Sequence, residues 1–230
     1  MNEKNIMKEE PDSEENILIE EIRQQIEECR LKDVCSEIIW DLIAEINEIN
    51  GRLSRECGRQ IMDNITWRVK SPESIVKKLK RKKRDISLEC AKETLNDLAG
   101  IRVICSFQDD VYRMAKEIKK IPGLHIVKVK NYIAHPKASG YRSIHIIVLV
   151  PAEEEEITVE IQVRSVAMNY WAILDHQLCY KNEEKEVEKI RKELRSYAIA
   201  IAKIDKKFLK LRKQIEKLEP RSQKIQDRDS

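Results

Sequence analysis

The strongest constraint on this chain lies in Ile157 to Arg164, which reads I-T-V-E-I-Q-V-R in strict alternation. Ile157, Val159, Ile161 and Val163 point to one face of a strand, and Thr158, Glu160, Gln162 and Arg164 to the other. A period of two asks for a sheet with one face buried. Taken alone, the pattern is that of a half-exposed strand in an antiparallel sheet. Its polar face nevertheless lines up a carboxylate, an amide and a guanidinium, groups that bind a metal, read a base and hold a phosphate.

A second strand has the same form. In Ile65 to Lys70, Ile65, Trp67 and Val69 are expected to face inward and Thr66, Arg68 and Lys70 outward. A helix follows at once, with Ser71 as its N-cap and Pro72 at its first position. It carries Lys77, Lys78, Lys80, Arg81, Lys82, Lys83 and Arg84. Its N-terminus offers free N–H groups and a positive dipole end beside Arg68 and Lys70, a place suited to a polyphosphate. A solvated basic face that binds RNA non-specifically has the same composition.

Despite abundant charge, the net charge over 230 residues is only +3, so the basic character is local, unlike that of a general DNA-coating protein. Six cysteines (29, 35, 57, 90, 105 and 179) form no C-x-x-C pair and read as reduced thiols of a cytoplasmic protein, not as a disulfide frame or zinc site. The apolar runs are too short to span a membrane, no signal peptide is expected, and no membrane partner is expected.

The pattern divides the chain into an acidic, unstructured segment (1–15), a helical segment (16–60), a catalytic domain (61–182), a long helix (183–219) and a frayed tail (220–230). The first helical segment breaks near Lys32-Asp33 and carries an apolar stripe, Ile39, Ile43, Ile46, Ile49 and Leu53. Strands are expected at 65–70, 101–107, 125–133, 143–151 and 157–164, with helices at 72–84, 88–98, 110–120 and 165–180 between and after them. The expected fold class is α+β: a mixed five-stranded sheet flanked by helices, with N- and C-terminal helical extensions. In the last helix Val187, Ile190, Leu194, Tyr197, Ile201, Ile204, Phe208, Leu211, Ile215 and Leu218 recur in heptad steps. That seam predicts a homo-oligomer; packing on the chain's own Ile39–Leu53 stripe is the alternative.

Two constellations carry chemistry. In Asn96-Asp97-Leu98-Ala99-Gly100-Ile101-Arg102, Gly100 is expected to permit a tight turn and Asp97 to face a cleft. Asp97 and Glu160, from different elements, suit a Mg²⁺ ion that takes its other ligands from phosphates and water; a helix-end carboxylate bonded to nearby N–H groups is the plainer account of Asp97. The second is His135 to His145. It offers the cations Lys137 and Arg142, Gly140 for close backbone approach to a ligand, Tyr141 for stacking on a base, and His145 on the polar side of its strand.

Four motifs, R-V-K-S-P-E-S-I-V-K-K (68–78), D-L-A-G-I-R-V (97–103), P-K-A-S-G-Y-R-S-I-H (136–145) and V-E-I-Q-V-R-S-x-A-M-N-x-W-A-x-x-D-H-x-x-x-Y-K (159–181), resemble the synthetase domain of the RelA/SpoT family in order and spacing. The resemblance covers about half the chain and is to the stand-alone small alarmone synthetases, because the segment before Thr66 is short and lacks the histidines of the family's hydrolase domain. It implies a nucleotidyltransferase-like fold and a GTP pyrophosphokinase of the stringent response, which moves the β,γ-pyrophosphate of ATP to the 3′-OH of GDP or GTP. It further implies that Arg68, Lys70, Ser74, Lys78 and Arg102 bind ATP, and that Asp97 and Glu160 hold Mg²⁺, with Glu160 also acting on the 3′-OH. Tyr141 would stack on guanine, Lys137, Arg142 and His145 would meet phosphates, and Gln162 and Asn169 would recognise the acceptor. A homotetramer through the C-terminal helices and single-stranded RNA are the partners implied. A toxin-like pyrophosphokinase acting on adenine nucleotides or the tRNA 3′ end, and a non-catalytic RNA-binding regulator, are the competing functions.

Overall fold

A computed structural model of the chain describes residues 13–152, 155–179 and 185–218. The expected tail at 220–230, and most of the expected unstructured segment at 1–15, lie outside these. Two helices lead, α1 (Ser13–Glu28) and α2 (Leu31–Cys57). The break between them falls at Arg30, in left-handed conformation with φ 49°, just ahead of the position the sequence suggested.

The chain then runs β1 (Met62–Val69), α3 (Pro72–Lys82), α4 (Leu88–Thr94), β2 (Ala99–Cys105), α5 (Gln108–Ile118), β3 (His125–Asn131), β4 (Ile144–Pro151), β5 (Glu156–Ser165), α6 (Val166–Cys179) and α7 (Lys185–Leu218). The sheet order is β1-β2-β5-β4-β3. β5 runs parallel to β2 and antiparallel to β4, and the two outer pairs are antiparallel. This is the mixed five-stranded α+β architecture the pattern predicts.

The core explains the alternation. Ile101, Val103, Ile146, Val148, Val159, Ile161 and Val163 are buried in one cluster with Ile39 and Ile46 of α2 and Met114 and Ile118 of α5. Each buried methylene contributes about 0.8 kcal/mol, so this face holds the sheet against its helices and leaves the opposite face for polar work. Trp67 departs from the expectation. It is 39% exposed and meets Trp40 of α2 edge-on at 5.5 Å, because β1 is an edge strand at the rim of the helical layer.

α7 does not pack on the Ile39–Leu53 stripe, which the sheet core already buries. It lies on α6 and reaches α5. Leu194 and Ala198 are buried with Trp171, whose indole N–H donates to the Leu194 carbonyl at 2.8 Å. Farther along, Arg212 bonds Asp109, and Arg59 bridges Asp110 and Glu216. The remaining described seam residues, Ile190, Tyr197, Ile204, Phe208, Leu211, Ile215 and Leu218, are exposed, while Ile201 is half-buried. The side chain of Val187 lies outside the described residues.

Candidate active site

Strand register builds the site's floor. One row across the sheet is Thr66, Arg102, Gln162, His145 and Lys130; the next holds Arg68, Gly100 and Glu160. Because β5 is central, its polar face meets polar residues from both neighbours. A cleft of about 200 Å³ opens there, lined by Thr66, Trp67, Arg68, Asp97, Gly100, Ile101, Arg102, Glu160 and Gln162. Gly100 does not form a turn: it lies within β2, opposite Arg68 and Glu160, and its missing side chain keeps the floor low.

Asp97, between α4 and β2, is clamped by two lysines. Lys70 Nζ reaches Oδ2 at 2.9 Å and Lys78 Nζ reaches Oδ1 at 2.6 Å. Burial pushes the Asp97 carboxyl up, but hydrogen bonds and charge from Lys78 and Lys70 outweigh it and hold the group below the usual carboxylate range. Burial also lowers Lys70. Ser74 stands at the N-terminus of α3, where the Ser71 hydroxyl accepts from its backbone N–H at 3.4 Å. Arg102 is lowered by burial and then by Arg164 and Arg68, and its Nε is buried without a partner.

Glu160 is held differently. His145 Nδ1 lies 2.8 Å from Oε1, and Gln162 Nε2 donates to Oε2 at 2.7 Å. Burial raises this carboxyl, while the bonds from His145 and Gln162 prevail and lower it. Next to it stand Tyr141, whose hydroxyl meets His145 Nε2 at 2.8 Å, and Lys137, whose ammonium lies 4.7 Å from the Tyr141 ring centroid. Burial is the largest influence on both, raising Tyr141 and lowering Lys137.

The structure thus brings Arg68, Lys70, Lys78, Asp97, Arg102, Lys137, Tyr141, His145, Glu160 and Gln162 together, with Asn169 3.5 Å from Arg164. Arg142 sits apart: its guanidinium donates to the Ile133 carbonyl at 3.0 Å, and it lines a small cavity beneath α7 with Trp171 and Asp205. Gly140 serves α7 instead of a ligand. It has φ 94°, and a Cβ there would lie 2.5 Å from the Ala198 Cβ.

The sequence pattern gave Tyr132 and Trp171 no site role and offered Arg164 only as a phosphate-holding cation on the polar face of β5; the structure places all three here. Tyr132 meets His145 and Tyr141 edge-on at 5.1 and 6.0 Å, and Trp171 lies 6.5 Å from Tyr141. Arg164 is buried, bonded to Tyr141, Gln162 and Asn169. An aromatic residue beside a strand end carries no pattern that separates this role from packing. Arg164, by contrast, was visible as a cation on the polar face of β5.

Comparison with known proteins points one way. The family model described as a region found in RelA / SpoT proteins matches residues 67–185. The GTP pyrophosphokinase YwaC of Bacillus subtilis (strain 168) is 39% identical over 163 residues, covering 69% of this chain and 78% of its own. A GTP pyrophosphokinase family protein from Streptococcus pneumoniae superposes with a TM-score of 0.72 at 30% identity, covering 84% of this chain and 96% of that one. Small alarmone synthetase 1 of Bacillus subtilis, bound to its product pppGpp, superposes with a TM-score of 0.67 at 30% identity, covering 89% and 99%.

Proposed function

The chain belongs to the RelA/SpoT family, and from that premise we propose that it is a GTP pyrophosphokinase, a small alarmone synthetase making ppGpp and pppGpp. The observation that carries the site assignment is a pair of carboxylates, Asp97 and Glu160, in one cleft surrounded by Arg68, Lys70, Lys78 and Arg102. Such a cleft suits a polyphosphate whose charge must be neutralised while one phosphorus is attacked.

In this reading ATP lies on the Asp97 side. Arg68 and Arg102 take the adenine end, and Lys70, Ser74 and Lys78 hold the phosphates. The guanine nucleotide lies on the Tyr141 side, its base on the ring, with Lys137, His145, Gln162 and Asn169 around it. Arg142 steadies the loop through Ile133. The acceptor 3′-oxygen bonds to the β-phosphorus of ATP, the bond from that phosphorus to the α-bridging oxygen breaks, and AMP leaves. Glu160, which its bonds from His145 and Gln162 hold in the charged form, receives the hydroxyl proton.

Asp97 and Glu160 also fit Mg²⁺, which takes one or two protein carboxylates and fills its shell with phosphate oxygens and water. Bound there, it would offset charge on the phosphate oxygens. For Asp97 this means exchanging lysine contacts for the ion.

The exposed apolar side of α7 supports the homotetramer reading, since it is a helical stripe turned away from the chain's own core. Single-stranded RNA is a second candidate partner, through α3. There Lys78 is engaged by Asp97, Lys80 by Glu15 and Lys82 by the Thr94 carbonyl, so RNA would compete with these contacts. No described helix is long and apolar enough to cross a membrane, and the cytoplasm is the proposed location.

The deciding experiment incubates the chain with ATP, Mg²⁺ and one of GDP, GTP, AMP or tRNA, and follows AMP release and the pyrophosphorylated product. Turnover with GDP or GTP is expected. Turnover with AMP or tRNA alone would reassign the acceptor, and none with any would favour a regulator.

A further inference from the structure

Arg164 is 5% exposed, yet among the described residues its guanidinium bonds only neutral groups: the Tyr141 hydroxyl at 2.8 Å, the Gln162 Oε1 and, at 3.5 Å, Asn169 Oδ1. Its Nε is buried without any partner, and its carbon lies 5.1 Å from the Tyr141 ring centroid. A buried cation without a counter-ion is a poor device for stability. Its burial beneath Tyr141 also removes it from the phosphate-holding duty that the bare strand pattern suggests.

What it does follows from a chemical asymmetry: a guanidinium only donates hydrogen bonds. The Tyr141 oxygen therefore accepts from Arg164 at 2.8 Å. At the other end the Glu160 carboxylate only accepts, so His145 Nδ1 gives its hydrogen to Oε1 at 2.8 Å, and in that tautomer Nε2 accepts the phenolic hydrogen of Tyr141 at 2.8 Å. Along the second arm the Gln162 carbonyl accepts from Arg164, so its amide N–H faces Glu160 Oε2 at 2.7 Å. Both arms start at Arg164 and end on different oxygens of one carboxylate.

We propose that Arg164 is the positioning residue of the acceptor side: it holds the Tyr141 hydroxyl and the Gln162 amide in place, so that the arms through His145 and Gln162 both run toward Glu160. This rests on the reading above, in which Tyr141 and Glu160 serve the guanine nucleotide. Without Arg164 the Tyr141 hydroxyl and the Gln162 amide are free to reverse, and Glu160 loses its fixed orientation. Among the described residues the ATP side makes no hydrogen bond to Arg164, which reaches it only through its charge beside Arg102.

The test compares the full chain with Arg164→Met, Arg164→Lys and Tyr141→Phe, measuring kcat and KM for GDP and for ATP beside the thermal midpoint. For Arg164→Met, kcat/KM for GDP is expected to fall about 10–100-fold, the size seen when an outer partner of a reacting group is lost. The ATP KM should hold within about two-fold and the midpoint should stay level or rise, since an unpaired buried charge has gone. Arg164→Lys keeps a cation without the fork and should fall between. Tyr141→Phe cuts one arm and should cost less than Arg164→Met. A wild-type GDP profile in Arg164→Met overturns the proposal. So does a lowered midpoint with both KM values raised together, the sign of a structural residue. A wild-type chain that turns over neither GDP nor GTP overturns the functional reading, and this proposal with it.

Discussion

The two halves of the cleft hold their carboxylates below the usual range by opposite means. Asp97 sits between two ammonium groups, at 2.9 and 2.6 Å, an arrangement of full charges with one negative group between two positive ones. Glu160 sits at the end of two hydrogen-bonded arms made of His145, Gln162 and Tyr141. The first is a site of exchange, since an incoming cation and polyphosphate can take over the partners of the acid and of the lysines. In the proposed reading the second is a site of orientation, where little should move because the acceptor hydroxyl would meet a carboxylate already aimed. Ion pairs suit replaceable contacts, and directional neutral bonds suit fixed ones.

The hardest blow to this comparison is Glu160→Gln. It keeps the shape and removes the charge, so turnover should fall on the order of 10²-fold or more while circular dichroism stays that of the wild type. Wild-type turnover would remove Glu160 from the chemistry.

Asp97→Asn sharpens the other half. It should also cut turnover, and it leaves Lys70 and Lys78 facing each other, at a cost of about 1–3 kcal/mol in stability near neutral pH. The sign with pH follows from the depressed folded pKa. The Asp97 contribution is complete above its unfolded value of 3.8 and is lost as the pH falls through its lower folded value. Denaturant melts of both proteins across pH 2–7, about the range where carboxylates titrate, should show the gap closing at the acid end; a gap independent of pH would place the effect elsewhere.

Tyr141→Ala should weaken guanine nucleotide binding by roughly 1–3 kcal/mol and spare ATP. Calorimetry that found ATP weakened instead would exchange the two halves. The smallest effect on either half is expected from Ile204→Glu, on the exposed side of α7. A charge at an apolar subunit contact costs several kcal/mol, so light scattering should report a smaller particle than the wild type. A wild-type chain of monomer mass would end the oligomer reading.

Much of this was legible in the sequence, for a clear reason. Period-two patterning told the two faces of β5 apart, and the carboxylates stood at motif positions. Patterning says which face a residue takes, but not what later covers that face. Arg164 is on the polar side, as its place in I-T-V-E-I-Q-V-R requires, and is nonetheless buried, because the loop bearing Tyr141 and the start of α6 close over it. The same limit explains α7. Its seam is real as a spacing, yet Leu194 and Ala198 turn to Trp171 while Ile204, Phe208 and Leu211 turn to solvent. Gly100 and Gly140 show it at single residues: each was visible as a special position, but the neighbour each approaches comes from a distant part of the chain.

The strand order has a consequence for how such a chain comes off the ribosome. β5 is the last strand to be synthesised and the middle one in space. Until it emerges, β1 with β2 and β3 with β4 are separate two-stranded ribbons sharing no edge, and such ribbons are marginal in water. The strand that joins them also brings Glu160 and Gln162. Nascent chains halted before Glu156 should therefore carry neither a continuous sheet nor the Glu160 side of the cleft, and joining the two ribbons and bringing in that carboxylate become one event.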